Sequence, residues 1–385
     1  MDARIEKIPW VELLSGWGAA MNGLFDRTEM IYPPLAQRYS KVDITAASVE
    51  PAKIPLDGFD KTLVAHCEKI AEEIRSAKAG GAAVVCAFGA HSIKNGLGRL
   101  LGALLEKGYF THICTNGAGI IHDWEFAFLG RSSEDVRANV AVGRFGTWQE
   151  TGKYINLAIA VGAYEGLGYA ASVGKMVRED GLLIPSAEEL ESVAASRDAP
   201  GWKRAAALDL KDTLTLCGLR EGFLEIGHPY KQYSIHSYVS GSGRFTCHPM
   251  FGHDIIYTHY ANKGAAVGRT AETDFLSYAD SISKLQNGVY LSIGSAVMSP
   301  MIFEKSLSMS RNVSLQEGRN IDNFSIHVAD LQESTWDWSQ GEPPMDDPAY
   351  YFRYMKTFSR MGGKVDYISA DNRDILQILY TLLCG

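Results

Sequence analysis

Short apolar runs alternate with longer stretches of helical spacing through most of this chain. Six runs read as strands: Ala82–Ala87, His112–Thr115, Phe245–Cys247, Val289–Ile293, Phe324–Val328 and Val365–Ser369. Ala82–Ala87 is apolar throughout, which suits a strand covered on both faces. Between them lie helical patterns. Asp60–Lys78 places Leu63, Val64, Cys67, Ile70, Ala71 and Ile74 at i, i+3 and i+4 intervals, and Ala79-Gly-Gly81 ends it. Gly96–Lys107 gathers Leu97, Leu100, Leu101, Leu104 and Leu105 on one side. Tyr154–Val173 is Ala/Gly-rich and predicts a closely packed helix, and Asp274–Leu285 predicts another. Ser186-Ala-Glu-Glu189 is a capping box opening a helix over Ser186–Ser196. This rhythm predicts an α/β fold: a Rossmann-like, doubly wound and largely parallel sheet. Residues 1–80 read as a helical and extended extension, and 81–385 as one α/β domain. In the extension, Trp10–Leu24 has mixed periodicity broken by Gly16, Gly18 and Gly23, and Pro33-Pro34, Pro51 and Pro55 mark turns or extended connections.

Composition narrows the function classes. The net charge is −8 over 385 residues, and there is no block of five or more Lys/Arg, which argues against a nucleic-acid partner. No run of about 18 apolar residues suits a spanning helix. Met1–Lys7 lacks the continuous apolar stretch of a secretory signal. Six scattered cysteines without a CxxC suit reduced thiols, hence a cytoplasmic location.

Chemistry concentrates where strands end. Ala87-Phe-Gly-Ala-His-Ser-Ile-Lys-Asn-Gly96 and Thr115-Asn-Gly-Ala-Gly119 are polar, Gly-bearing turns about one βαβ unit apart. An open α/β sheet places backbone N–H groups against a phosphate-bearing ligand at such turns. Lys94-Asn95-Gly96 adds a positive charge and amide donors. Gly117-Ala-Gly119 equally suits any tight strand-to-helix turn. His122 reads either as a ligand contact or as a polar neighbour of the helix-capping Asp123. His248, His253, Asp254 and His259 are dense in imidazole and carboxylate, but their spacing matches no metal motif. No metal is expected. Asp254 stands alone before apolar Ile255-Ile-Tyr257, where it can hold a cationic or hydroxyl-bearing ligand. Asp330, Glu333, Asp337, Asp346 and Asp347, mixed with Trp336 and Trp338, read as an amine cage or as a solvated loop. Gly241-Ser-Gly243 reads as a flexible turn.

The order of these turns resembles the deoxyhypusine synthase family from about residue 82 to the C-terminus. Gly89-Ala-His-Ser-Ile-Lys-Asn-Gly96 is similar to its first NAD-contacting loop. Thr115-Asn-Gly-Ala-Gly119 is similar to its T-T-A-G-G turn, and Ile120-Ile-His-Asp123 stands where the family has V-E-E-D. Phe128-Leu-Gly130 and Val142-Gly-Arg-Phe-Gly146 match its Y-L-G and N-R-I-G elements. Gly252-His-Asp-Ile-Ile256 resembles G-D-M-I, Ile293-Gly-Ser-Ala-Val297 resembles L-G-G-G-V, His327–Glu333 resembles I-N-T-A-Q-E, and Ser369-Ala-Asp-Asn372 resembles the A-D-A turn. The resemblance implies NAD as cofactor, contacted by Ser92, Asn95, Asn116, Gly117, Ala118, Gly119, His122, Asp330, Asp371 and Asn372. It also implies a homotetramer with sites at subunit contacts, and a small-molecule substrate of the polyamine type.

The chain departs from the family at the transfer step. Tyr354 stands at the place of the nucleophilic lysine in S-W-G-K, and a tyrosine cannot form an imine. Lys356 lies two residues on, about 200° round a helix. Ser299-Pro300-Met301 replaces a K-H-H segment, removing a histidine. The expected activity is therefore NAD-dependent chemistry on an amine or related small molecule. Asp254 and Glu333 would orient the substrate, and Lys356 is the remaining amine for a transfer step. A polyamine aminobutyl transferase and a non-catalytic NAD-sensing scaffold are the other two readings.

Overall fold

A computed structural model describes residues 23–239 and 244–384. Trp10–Asn22 and Gly241-Ser-Gly243 lie outside the described residues.

Six strands form the central sheet: β1 (Val84–Phe88), β2 (His112–Thr115), β3 (Phe245–Cys247), β4 (Val289–Ile293), β5 (Ser325–Asp330) and β6 (Lys364–Ser369). Every pairing within it is parallel. The spatial order is β3-β2-β1-β4-β5-β6. The chain winds outward from β1 through β2 to β3, returns to the other side of β1 as β4, and winds outward again. The strand order thus reverses between β1 and β4, whose last residues, Phe88 and Ile293, are register partners. A reversal of this kind opens a crevice beyond the carboxyl ends of the two strands.

Side-chain alternation builds a core on each face. Val84, Cys86 and Phe88 join helices Lys61–Ala79, Gly98–Glu106 and Asn372–Leu383 on one face. Val85, Ala87 and Tyr290 join helices Gly264–Ile282, Met298–Gln316 and Arg353–Ser359 on the other. The sheet is doubly wound, as the apolar pattern predicts. Local signals explain individual boundaries. Asp60 caps Lys61–Ala79 by accepting from the Thr62 and Leu63 amides, both at 2.9 Å. Gly81 at φ +69° turns the chain into β1.

A largely helical insertion separates β2 from β3. Tyr154–Val173 is not the single helix its composition predicts. It belongs to two helices, Gln149–Glu165 and Tyr169–Glu179, broken at Gly166-Leu-Gly168. Gly166 adopts φ +79°, and a Cβ on Gly168 would lie 1.8 Å from Asp274 Oδ1. The break therefore lets a buried carboxylate reach the start of the second helix, where Asp274 accepts from the Ala170 amide at 3.0 Å and from Cys247 at 2.8 Å. Two other boundaries move. Gly96–Lys107 becomes Gly98–Glu106, and Asp274–Leu285 is the last part of Gly264–Ile282. The capping box forms its first half, with Ser186 accepting from the Glu189 amide at 3.0 Å.

The described part of residues 1–80 is tied to the rest. Ser40–Asp43 pairs antiparallel with Arg131–Glu134. Arg38 makes a buried, two-pronged ion pair with Glu125 at 2.7 Å, to which Thr151 adds a hydrogen bond at 2.9 Å. Among the described residues no helix is long and apolar enough to cross a membrane.

Candidate functional site

The two Gly-bearing turns lie at the carboxyl ends of neighbouring strands, but their surroundings differ. After β1, a Cβ on Gly89 would lie 2.0 Å from the Gly294 carbonyl oxygen. The backbones leaving β1 and β4 therefore meet with no room for a side chain. Gly294 is itself at φ +57°, and a Cβ there would meet Asn372 Nδ2 at 2.6 Å. Asn372 donates to Ser92 Oγ at 3.2 Å, and both side chains are buried. Thus Ser92, Asn372 and Gly294, drawn from three separate parts of the sequence, form one wall at the reversal of strand order. Among the described residues, no hydrogen bond engages the amides of Ala90 and His91. Asn95 closes the short helix Ala90–Lys94, its amide donating to the His91 carbonyl at 2.9 Å.

Asp330 ends β5, the strand paired with β4. Its charge acts on His91, Tyr354 and Tyr367. Burial and Lys94 hold the exposed His91 below its ordinary value, against the opposing pull of Asp330. Tyr354 and Tyr367 share a hydroxyl contact at 3.3 Å, and burial raises both phenols. Asp371 caps the last helix by accepting from the Arg373 amide at 2.7 Å and is otherwise exposed.

The turn after β2 is filled from within. Asn116 accepts from the Gly119 amide at 2.9 Å. Asp254, far along the chain, brings its carboxylate to the same helix end and accepts from the Ala118 amide. A Cβ on Gly117 would lie 2.1 Å from Asp254 Oδ2, and one on Gly119 would lie 2.2 Å from Thr115 Oγ1. These two glycines make room for the protein's own side chains. A carboxylate at a helix N-terminus is favourable in itself and leaves an anionic ligand a poor second occupant.

Asp254 is also under-satisfied. Its Oδ2 is buried without a hydrogen-bond partner, as are the hydroxyls of Tyr257 and Tyr169. Burial pushes the Asp254 carboxyl up to about 7, the Ala118 amide opposing it. After burial, the Asp254 charge is among the influences raising both phenols. One acid and two phenols that feel its charge are thus each buried without a hydrogen-bond partner, which costs free energy. Sequence reasoning found Asp254. It missed Tyr169, which no local pattern marks, and used Tyr257 only as part of an apolar run.

The remaining candidates have structural roles or stand apart. His122 bonds Ser132 Oγ at 2.7 Å, and burial pulls its imidazole down to about 4, leaving it neutral. Glu333 is exposed in the loop after β5. Lys356 Nζ pairs with Glu342 at 2.7 Å and lies 3.4 Å from the centre of the Tyr350 ring. Hydrogen bonding to Glu342 raises its ammonium above the ordinary lysine value, the opposite of what an imine-forming amine needs. Tyr354, on another side of that helix, is the residue turned toward Tyr367. The acid-and-indole cage does not assemble: Trp338 is 3% exposed and packs on Phe352, while Asp337 and Asp347 cap short turns. The histidine cluster also disperses. His248 Nε2 meets Thr246 Oγ1 at 3.0 Å, His259 packs against Tyr32 and Tyr260, and His253 is exposed. Among the described residues, no three His, Cys, Asp or Glu side chains converge as metal ligands.

No protein-family model and no curated protein sequence matches the chain. Solved structures give distant likenesses. ArgZ, an arginine dihydrolase from the ornithine–ammonia cycle in cyanobacteria, is 14% identical over 83% of this chain and 32% of its own, with a TM-score of 0.39. AgrE, in a ternary complex with ornithine and NAD+, is 13% identical over 85% of this chain and 33% of its own, with a TM-score of 0.42. A conserved protein described as LOR/SDH, from Methanococcus maripaludis S2, is 12% identical over 92% of this chain and 74% of its own, with a TM-score of 0.37. The chain spans about a third of the length of ArgZ and AgrE. At such scores the likeness decides neither fold nor function.

Proposed function

We propose that this protein binds NAD across the crevice between β1 and β4 and is an enzyme that oxidises a small amine held by Asp254. One observation carries the reading: the strand order reverses where Gly89 and Gly294 bring two backbones into contact beside buried, polar Ser92 and Asn372. A doubly wound sheet receives a dinucleotide at such a point. The residues present fit the group. The Ala90 and His91 amides are available as donors, Lys94 adds positive charge, and Asp330 and Asp371 supply carboxylate acceptors for ribose hydroxyls at the ends of β5 and β6. Asn116–Gly119 serves the neighbouring amine site, by seating Asp254, in place of a phosphate contact.

When bound, NAD supplies a hydride acceptor. The protein's part is to hold the donor carbon and to manage charge. Asp254, whose carboxyl burial raises to about 7, takes the ammonium as an ion pair and then accepts one of its protons, leaving a neutral amine whose lone pair can assist hydride loss from the adjacent carbon. Tyr169 and Tyr257 complete its hydrogen bonding and exclude water. Lys356 has no part in this scheme. The resemblance to deoxyhypusine synthases is carried over for the NAD-contacting turns at Gly89–Gly96 and Ser369–Asn372 and for a homotetramer; the cytoplasmic location rests on the scattered cysteines. Aminobutyl transfer and a silent NAD-binding scaffold are the readings it competes with.

Isothermal titration of NAD+ tests the first half, and a screen of amines for NADH absorbance tests the second. Micromolar NAD+ binding, weakened at least tenfold by Asn372→Ala and retained by Asp254→Asn, is the expected result. Absence of binding to the folded protein overturns the proposal. A borohydride-trapped adduct with labelled spermidine on Lys356 would instead establish the transferase reading, and NAD+ binding without turnover of any amine would establish the scaffold.

A further inference from the structure

A second, smaller sheet lies in the helical insertion. Gly181–Ile184 pairs antiparallel with Gly222–Glu225, Leu183 opposite Phe223 and Gly181 opposite Glu225. The Ile226 amide donates to the Asp180 carbonyl at 2.7 Å, which makes that pair a hydrogen-bonded one. Alternation then assigns the ladder bonds to Leu182–Leu224 and Ile184–Gly222, and turns the N–H and C=O of Phe223 and Glu225 outward. Among the described residues, no strand or hydrogen bond engages those outward groups. The side chains divide in the same way. Leu182 and Ile184 are buried, whereas Leu183 is 59% and Phe223 56% exposed. The Phe223 ring lies over Gly181, where a Cβ would come within 2.6 Å of it. Glu221 and Glu225 flank Phe223, both exposed and without an ion pair among the described residues.

An open edge of this kind accepts a further strand, and its side chains decide which one. A second copy of the chain fits poorly. Antiparallel self-pairing matches outward residues to outward residues, which sets Glu225 against Glu221, Phe223 or its own counterpart. None of these is a cation, and like charges directly opposite are unfavourable. An extended segment with Lys or Arg opposite Glu225, and an apolar residue two positions away opposite Phe223, satisfies the backbone and both side chains together. We propose that the edge Gly222–Glu225 is a docking site for an extended segment of another protein, in which a basic and an apolar residue stand two positions apart. Phe223 and its register partner Leu183 supply the apolar contact, and Glu221 and Glu225 select the charge. The site belongs to the insertion and is independent of how NAD or an amine is held.

Fluorescence anisotropy on the full chain at low ionic strength tests this with three labelled peptides: Thr-Lys-Thr-Val-Thr-Lys-Thr, its counterpart with Glu for each Lys, and the reordered Lys-Lys-Thr-Thr-Val-Thr-Thr. The first should bind about tenfold more tightly than either of the others. Phe223→Pro removes an outward N–H that the ladder to Gly181–Ile184 does not use. It should weaken the first peptide about tenfold and leave the melting temperature close to that of the wild type. Glu225→Lys should narrow the gap between the Lys and Glu peptides about fivefold, and it keeps the test open should Phe223→Pro fail to fold. Equal binding of the ordered and reordered peptides, binding that ignores both substitutions, or no binding at all overturns the proposal. Self-association of the chain that Phe223→Pro abolishes would give the edge to a second copy and overturn it likewise.

Discussion

The turns after β1 and β2 share a sequence pattern, strand then Gly-bearing polar turn then helix, yet they are physically different places. After β1, the close approach is between two backbones, Gly89 against Gly294, and the nearby amides of Ala90 and His91 have no partner among the described residues. After β2, the close approach is between Gly117 and a side chain, Asp254, and the helix end is capped by Asn116 and by that carboxylate. A glycine in such a turn reports that something comes close. It does not say whether that is a ligand or the protein itself.

The sharpest break in this comparison is a pair of glycine substitutions. Gly89→Ala sets a methyl 2.0 Å from a carbonyl oxygen of a neighbouring strand connection, and Gly117→Ala sets one 2.1 Å from a carboxylate oxygen. Each should destabilise by about 2–4 kcal/mol in chemical denaturation. The difference lies in rescue. Adding Asp254→Ala should recover most of the loss from Gly117→Ala, because the clashing group is a side chain that can be deleted. No such deletion is available for Gly89→Ala. Equal rescue of both variants would contradict the distinction.

Asp254 itself gives the next largest effect. Burial raises its folded-state value to about 7, from an ordinary 3.8. A carboxyl raised on folding binds more protons in the native state between those two values. Its contribution to stability therefore falls as pH rises from about 4 to about 7 and is level above that. Asp254→Asn removes this dependence. The variant should gain on the wild type across that window, by about 4 kcal/mol at most. Parallel pH–stability curves for the two proteins would show that the carboxylate is not strained. His122 provides the opposite slope: burial lowers its imidazole to about 4, so stability is lost as pH falls from the ordinary histidine value of 6.5 toward 4. A glutamine at this position should flatten that limb of the curve.

Smaller effects sharpen the picture. Asn116→Ala removes one helix cap and should cost about 1 kcal/mol. It should leave NAD+ affinity within a factor of two, since the turn is assigned to the protein's own packing. Lys356→Ala breaks a surface ion pair with Glu342 and should leave stability close to that of the wild type, without altering the binding of NAD+ or of any amine.

How much of this was legible in the sequence follows from the range of each interaction. Strands and helices with their own periodicity were readable: Val84–Phe88 from an unbroken apolar run, Val289–Ile293 from a run interrupted only by Ser292, and Lys61–Ala79 from its spacing and the Gly80-Gly81 stop. The sheet type followed from their alternation. Long-range contacts were not readable. Nothing near Gly117 announces that Asp254 will lie against it, and nothing near Gly168 announces Asp274, so Tyr154–Val173 looked continuous. Trp336 and Trp338 suggested a cage because composition does not reveal that one indole is core against Phe352. Tyr354 and Lys356 were separable in advance because their angular offset is a local property of a helix.

The most direct test of the account is a crystal structure with NAD+ bound. The account expects the pyrophosphate against the backbone of Gly89–Ser92 and Gly294, beside Asn372, with Asp254 still seated at Gly117. A pyrophosphate bound at Asn116–Gly119 with Asp254 displaced, or a crevice between β1 and β4 left empty at saturating NAD+, would contradict it.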